Sequence, residues 1–215
     1  DAVARVRAVR EAVGPSIDIC LDYHGRSFSV TQAVRLAQEI EPYHPMFLEE
    51  PALTENPDAL VEAKTKTSIP IAGGERCVSR DRLRDILHQN ALHILQPEPT
   101  ANGGILETVK WASMCELYHI VLAPHQACGP VSLLACAHID ASITNFLIQE
   151  CNVDVNDPFY NDLFSPMPMI KDSYLELPAR PGLGIELNEE AVEKYPRKPY
   201  DRRVIIDRDG GIGLE

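Results

Sequence analysis

Short apolar runs recur along the chain, and each closes on a polar or acidic residue. The runs are Ile17–Leu21, Met46–Leu48, Ile69–Ala72, His93–Leu95, Ile120–Ala123 and Phe146–Ile148. They lead to Asp22, Glu49, Glu75, Glu98, His125 and Glu150, in steps of 27, 26, 23, 27 and 25 positions. A strand, a loop and a helix of about three turns need that much chain, and near-continuous apolar runs suit parallel strands buried on both faces.

The segments between the runs read as helices. Ala2–Val13 sets Val3, Val6, Val9 and Val13 on one stripe. Val30–Glu41 ends against Pro42. Asn56 followed by Pro57 is an N-cap with proline at the first helical position. Ser79 can cap a helix running through Gln89, Gly103 and Gly104 precede the run Ile105–His119, and a further helix covers Val131–Ile143. Alternating β and α elements predict an α/β protein with a parallel sheet, and six evenly spaced βα units predict a partial TIM-type (β/α) barrel. A complete barrel has eight strands. Residues 1–152 therefore read as the third to eighth units, with the first two strands expected upstream of Asp1. After Glu150 the repeat stops. Residues 153–215 read as a C-terminal extension: a Pro-rich loop (Pro158–Pro168), a two-stranded piece joining Tyr174–Leu177 to Gly184–Leu187, and a charged end.

Composition narrows the class. At 215 residues and 45% hydrophobic content the chain can bury a sizeable core, and no apolar run reaches the ~20 residues of a membrane span. The stretch Asp1-Ala2-Val3-Ala4-Arg5 carries no initiator Met, apolar signal region or cleavage site, and reads as the inside of a helix in a longer protein. A net charge of −12 argues against nucleic acid or an acidic membrane surface as partner, and is the balance expected where carboxylates hold a cation. Six scattered cysteines without a CxxC spacing read as reduced thiols in a cytoplasmic protein.

In (β/α) barrels the chemistry sits where the strands end. Asp22, His24, Glu49, Glu50, Glu75, Glu98, His125 and Glu150 fall at that mouth. Such a crowd of carboxylates repels itself without a cation, and hard oxygen ligands select Mg²⁺, with Mn²⁺ the alternative. Asp22 and His24 stand two apart and can face the same side of a strand. An isolated strand-end Asp more often caps a turn; three acidic strand ends in sequence favour ligands.

The stretches Leu21-Asp22-Tyr23-His24-Gly25-Arg26, Phe47-Leu48-Glu49-Glu50-Pro51, Ala72-Gly73-Gly74-Glu75-Arg76 and Leu122-Ala123-Pro124-His125 resemble the mandelate racemase group of the enolase superfamily. Within it the galactonate dehydratases and related sugar-acid dehydratases are most similar, over about Ile17 to Leu187, including Pro181-Gly182-Leu183-Gly184-Ile185-Glu186. The resemblance implies that Asp22, Glu49 and Glu75 hold Mg²⁺, and that His125 is the base that takes the proton beside the substrate carboxylate. It implies further that His24 is the acid for the departing 3-hydroxyl and that Glu150 hydrogen-bonds the enediolate. The group usually has Asp hydrogen-bonded to the base histidine; here Gln96-Pro97-Glu98-Pro99 supplies Glu98, whose longer side chain must reach His125.

Arg26 and Glu50 are the candidate substrate contacts, Glu50 also reading as support for its neighbour Glu49, and Arg76 reads as a partner for Glu75. His44, His88, His93, His119 and His138 read as structural, and Gly103-Gly104 as a turn. The implied activity is a Mg²⁺-dependent lyase that dehydrates an aldonate, galactonate first among them, to a 2-keto-3-deoxy acid. A racemase or epimerase on the same site, or a non-catalytic paralogue or inactive fragment, are the alternatives. The resemblance also implies a homo-oligomer and a missing cap domain.

Overall fold

A computed structural model of the chain describes residues 2–27, 29–196, 205–206 and 212–213. Five short parallel strands lie side by side in chain order: β1 (Cys20–Asp22), β2 (Phe47–Glu49), β3 (Ile71–Gly73), β4 (Ile94–Leu95) and β5 (Val121–Leu122). Helices connect them. α1 (Ala2–Val13) leads into β1, α2 (Val30–Ile40) joins β1 to β2, α3 (Pro57–Thr65) joins β2 to β3, and α4 (Arg80–His88) joins β3 to β4. The short α5 (Pro99–Asn102) and α6 (Ile105–Glu116) lie between β4 and β5, and α7 (Pro130–Asp140) follows β5.

The helix starts are where cap chemistry puts them. The side chains of Ser29, Asn56 and Ser79 each accept the backbone N–H three residues on, which satisfies one of the free donors of the first turn. The ends differ from expectation. Pro42 does not stop the second helix, which tightens into a 3-10 turn over Glu41–Tyr43, and α6 and α7 finish before His119 and Ile143. Arg10 ties the first unit together: its guanidinium donates to the carbonyls of Gly14 and Ile17 beyond α1 and of Tyr43 and His44 beyond α2.

Alternate residues of the strands face opposite ways. Leu48, Ile71, Leu95 and Leu122 turn toward the helices, where they join Ala33, Ile40, Leu60, Ile86, Trp111 and Cys115 in the main core. Phe47, Ala72, Ile94 and Ala123 form a second buried cluster on the other face. Burial on both faces is what the apolar runs predict.

The sixth run behaves differently. Phe146–Ile148 continues the parallel ladder, with Leu122 N–H donating to Asn145 O and Leu147 N–H donating to Leu122 O, each at 2.8 Å, but among the described residues it makes a single bridge, Leu122 to Phe146. All three side chains are exposed rather than buried. The expected hairpin of the tail is also replaced. β7 (Ile170–Lys171) pairs with β8 (Tyr174–Leu175), while β9 (Glu186–Leu187) pairs with β6 (Phe164–Ser165). The stretch read as a Pro-rich loop holds α8 (Pro158–Leu163), with Pro158 at the first position and Asp157 as cap. α9 (Glu189–Val192) follows, and the charged end lies mostly outside the described residues, apart from the paired β10 (Ile205–Ile206) and β11 (Ile212–Gly213). Among the described residues no helix is long and apolar enough to cross a membrane.

Leu48 sits at 1% exposure between sheet and helices, so Leu48→Ala is expected to cost ~2–5 kcal/mol in chemical unfolding. Leu117→Ala, at 80% exposure just beyond α6, should stay within ~0.5 kcal/mol. Equal effects at the two positions would contradict this packing.

Candidate active site

Parallel pairing in register brings the strand ends level. Asp22 stands directly opposite Glu49, and Glu49 is opposite Ala72, three residues before Glu75. Between them Gly73 and Gly74 turn the chain. At Gly74, with φ +126°, a Cβ would lie 2.8 Å from Leu95 Cδ1, so glycine alone lets the backbone pass here and present Glu75. Glu98 follows β4 as the cap of α5, His125 follows β5, and Glu150 follows the Phe146–Ile148 stretch.

The Glu75 carboxylate is the meeting point. His24 Nδ1 approaches its Oε1 at 3.5 Å, and His125 Nε2 approaches its Oε2 at 3.2 Å. His24 Nδ1 is also 3.6 Å from Asp22 Oδ2. The other nitrogen of His125, Nδ1, lies 3.0 Å from Glu98 Oε2. Glu98 thus reaches the histidine despite its extra methylene. Its second oxygen, Oε1, accepts from Thr100 N–H (2.9 Å) and Thr100 Oγ1 (2.7 Å), which anchors it at the start of α5.

Glu49 is buried, with Oε2 accepting from Gln96 Nε2 at 2.8 Å. Glu150 Oε2 accepts the Gln126 backbone N–H at 2.8 Å, and its Oε1 accepts from Asn152 at 3.1 Å. Glu50 is fully buried and takes a hydrogen bond from Thr54 Oγ1 at 2.6 Å. Arg76 reaches Glu75 as expected, Nε to Oε1 3.7 Å, but lies closer to Glu50 Oε2, at 3.3 Å. Arg26 is exposed and lines, with Asp22, Tyr23 and His24, a cavity of about 580 Å³ between α1, α2 and β1. Gln96, Thr54 and Thr100 are additions to the residues expected from sequence. Gln96 stands two before Glu98, a spacing that puts both on one side of an extended chain and could have marked it. Of the histidines read as structural, His93 accepts the Ile71 backbone N–H at its Nδ1, 3.0 Å.

The charges register this crowding. Burial, with Asp22, Glu150 and Glu75 nearby, pushes Glu49 up to about 8 against the relief from Gln96. Burial would depress His125, but the hydrogen bond to Glu98 and the charges of Glu75 and Glu150 win and lift it to about 9. Burial opposes the ionised form of Glu98, and the hydrogen bonds from His125 and Thr100 outweigh it and hold that carboxyl below its ordinary value. A buried oxygen donor such as Glu49, held from ionising beside other carboxylates, is the kind of group that a hard divalent cation relieves, so the residues suit Mg²⁺ or Mn²⁺. Among the described residues, the donors that fall within 4.8 Å of one another are His24, Glu50 and Glu75. Asp22 and Glu49 line the same mouth without entering that set: His24 Nδ1 sits within 3.6 Å of both Asp22 and Glu75, and Glu49 is held by Gln96.

The profile of a family described as enolase C-terminal domain-like matches residues 1–191. D-galactonate dehydratase of Ralstonia pickettii is 37% identical over 221 residues, covering 98% of this chain and 57% of the relative; that of Xanthomonas euvesicatoria is 37% identical with the same coverage. The chain therefore spans little more than half the length of these curated relatives. Among solved structures, a mandelate racemase/muconate lactonizing enzyme from Sulfitobacter sp. superposes with a TM-score of 0.86 at 34% identity, over 93% of this chain and 50% of the other. A mandelate racemase/muconate lactonizing enzyme-like protein from Rubrobacter xylanophilus gives 0.84 at 38% identity, over 91% and 50%.

Of the raised groups, Glu49 and His125 give one sign of pH dependence. Glu49 stabilises the fold most below its ordinary 4.5 and loses that contribution as pH rises through about 8. His125 does the same between 6.5 and about 9. With chelator present, the melting temperature should fall across this window, and Glu49→Gln should melt above the parent at the alkaline end. A parent protein that gained stability over the same window would contradict the crowding described here.

Proposed function

The chain belongs to the enolase C-terminal domain-like family, and on that footing we propose that the whole protein is a Mg²⁺-dependent lyase that removes water from an aldonate. The observation that carries this is the Glu75 carboxylate with one imidazole at each oxygen, His24 at Oε1 and His125 at Oε2. Elimination from a carbon acid needs a base for the α-proton and an acid for the leaving hydroxyl, and histidine serves either role near neutrality.

His125 is the base. Its Nδ1 is committed to Glu98, which leaves Nε2 as the atom that takes the proton from C2 of the substrate. His24 is the acid: it gives a proton to the 3-hydroxyl as the C3–O bond breaks, and water leaves. The enol left behind becomes a 2-keto-3-deoxy acid. Glu150, fixed by Gln126 and Asn152, hydrogen-bonds the enediolate charge that develops before the hydroxyl departs. Asp22, Glu49 and Glu75 would hold Mg²⁺, which when bound would supply the positive charge that acidifies the α-proton and offsets the carboxylates around His125. Arg26, at the cavity beside β1, is the proposed contact for the substrate.

Galactonate is the substrate of first choice, since the curated relatives described above are D-galactonate dehydratases. In the whole protein, residues 1–152 supply barrel units and 153–215 an extension that packs on them.

The test is NMR of the whole protein with Mg²⁺ and a panel of aldonates in deuterated water. His125→Asn should lose both α-proton exchange and keto-deoxy acid formation, by ~10²–10⁴-fold. His24→Asn should keep exchange and lose elimination. Absence of any keto-deoxy acid across the panel would sink the dehydratase reading, and inversion at C2 without loss of water would establish a racemase or epimerase in its place.

A further inference from the structure

Glu50 is an unusual place for a carboxylate. Its side chain is at 0% exposure, and its backbone sits in the left-handed region at φ +40°, which a residue with a Cβ seldom adopts. The position is pinned from both sides: its N–H donates to Ala72 O of β3 at 3.0 Å, and its carbonyl accepts the Gly25 N–H at 2.8 Å. Glu50 therefore joins the loop that carries His24 to the strand that leads to Glu75. Thr54 Oγ1 satisfies one carboxylate oxygen at 2.6 Å. The other, Oε2, has among the described residues no hydrogen-bond donor and a single ionic contact, with Arg76 Nε at 3.3 Å.

Arg76 has a choice. Among the described residues, the carboxylates within 4.0 Å of it are Glu50 and Glu75, and Nε stands 3.3 Å from the first and 3.7 Å from the second. The Glu75 oxygen that it approaches, Oε1, is the one that faces His24. A buried charge without a partner is strongly destabilising, whereas a buried pair replaced whole by neutral groups is close to neutral. Glu50 thus has reason to retain the guanidinium, and without its charge the remaining carboxylate in reach is Glu75.

We infer that Glu50 and Arg76 form a positioning pair, in which Glu50 holds the guanidinium off Glu75 and leaves that carboxylate open to a cation and to the imidazoles. The inference rests on the proposal that Glu75 is a Mg²⁺ ligand, and it gives Glu50 a role other than touching substrate. Arg76 is the element that is restrained, and Thr54 and the two backbone bonds hold the restraint in place.

Calorimetric titration of the whole protein with Mg²⁺ tests this, alongside kcat and KM on the aldonate that the parent turns over. Glu50→Gln keeps the shape and the Thr54 hydrogen bond while freeing Arg76. It should weaken Mg²⁺ about 10-fold and lower kcat with little change in KM. The double variant Glu50→Gln/Arg76→Gln removes the competing charge as well and should return Mg²⁺ affinity to near the parental value, a rescue that a merely structural role does not produce. Unchanged Mg²⁺ affinity in Glu50→Gln, a rise in KM alone, or a double variant no better than the single one would each overturn the pair. If Glu50→Gln fails to fold, the double variant decides: parental or tighter affinity supports the inference and weaker affinity overturns it. A parent that binds Mg²⁺ yet eliminates nothing overturns the proposed reaction and leaves the pair to be judged on the binding isotherms; a parent that takes up no Mg²⁺ overturns both.

Discussion

Strands that pair in parallel and in register must end together, and the rest of this molecule answers to that constraint. Asp22 beside Glu49, with Glu75, Glu98 and His125 on successive loops, is the direct result of five strands released at one edge, and Glu150 follows the Phe146–Ile148 run bridged to the fifth. Like charges gathered so closely in partly buried surroundings oppose folding. The chain meets that opposition locally. Gln96 donates to Glu49, Thr54 and Arg76 attend Glu50, Thr100 attends Glu98, and the Gln126 amide attends Glu150. What is left unrelieved falls on the buried carboxyls of Glu49 and Glu50, both pushed up by burial.

Much of this was legible because it is local. An apolar run buried on both faces has a signature within four or five residues, and so do the caps Ser29, Asn56 and Ser79. The order and spacing of the acidic strand ends carried the site itself. What was not legible depends on residues distant in sequence. Gln96 meets Glu49 across 47 positions. β9 finds β6 rather than β8, because an antiparallel pairing of two residues has too little pattern of its own to name its partner. The Phe146–Ile148 run reads like its predecessors, but burial of a strand needs neighbours on both sides, and its side chains remain exposed.

The site shows the same division. Strand position fixes where each Cβ starts, and the candidate carboxylates and imidazoles follow the ends of successive strands. Where a carboxylate finishes depends on its charged neighbours. His24 lies between Asp22 and Glu75, and Arg76 leans toward Glu50, so the donors in closest company are not the three that the strand ends alone suggested.

Glu98 carries two duties on one side chain. One oxygen closes the first turn of α5 through Thr100, and the other orients His125. A side chain one methylene shorter, starting from the same backbone, is pressed to give up one of the two. The length of the side chain at position 98 is therefore coupled at once to the start of a helix and to the setting of an imidazole.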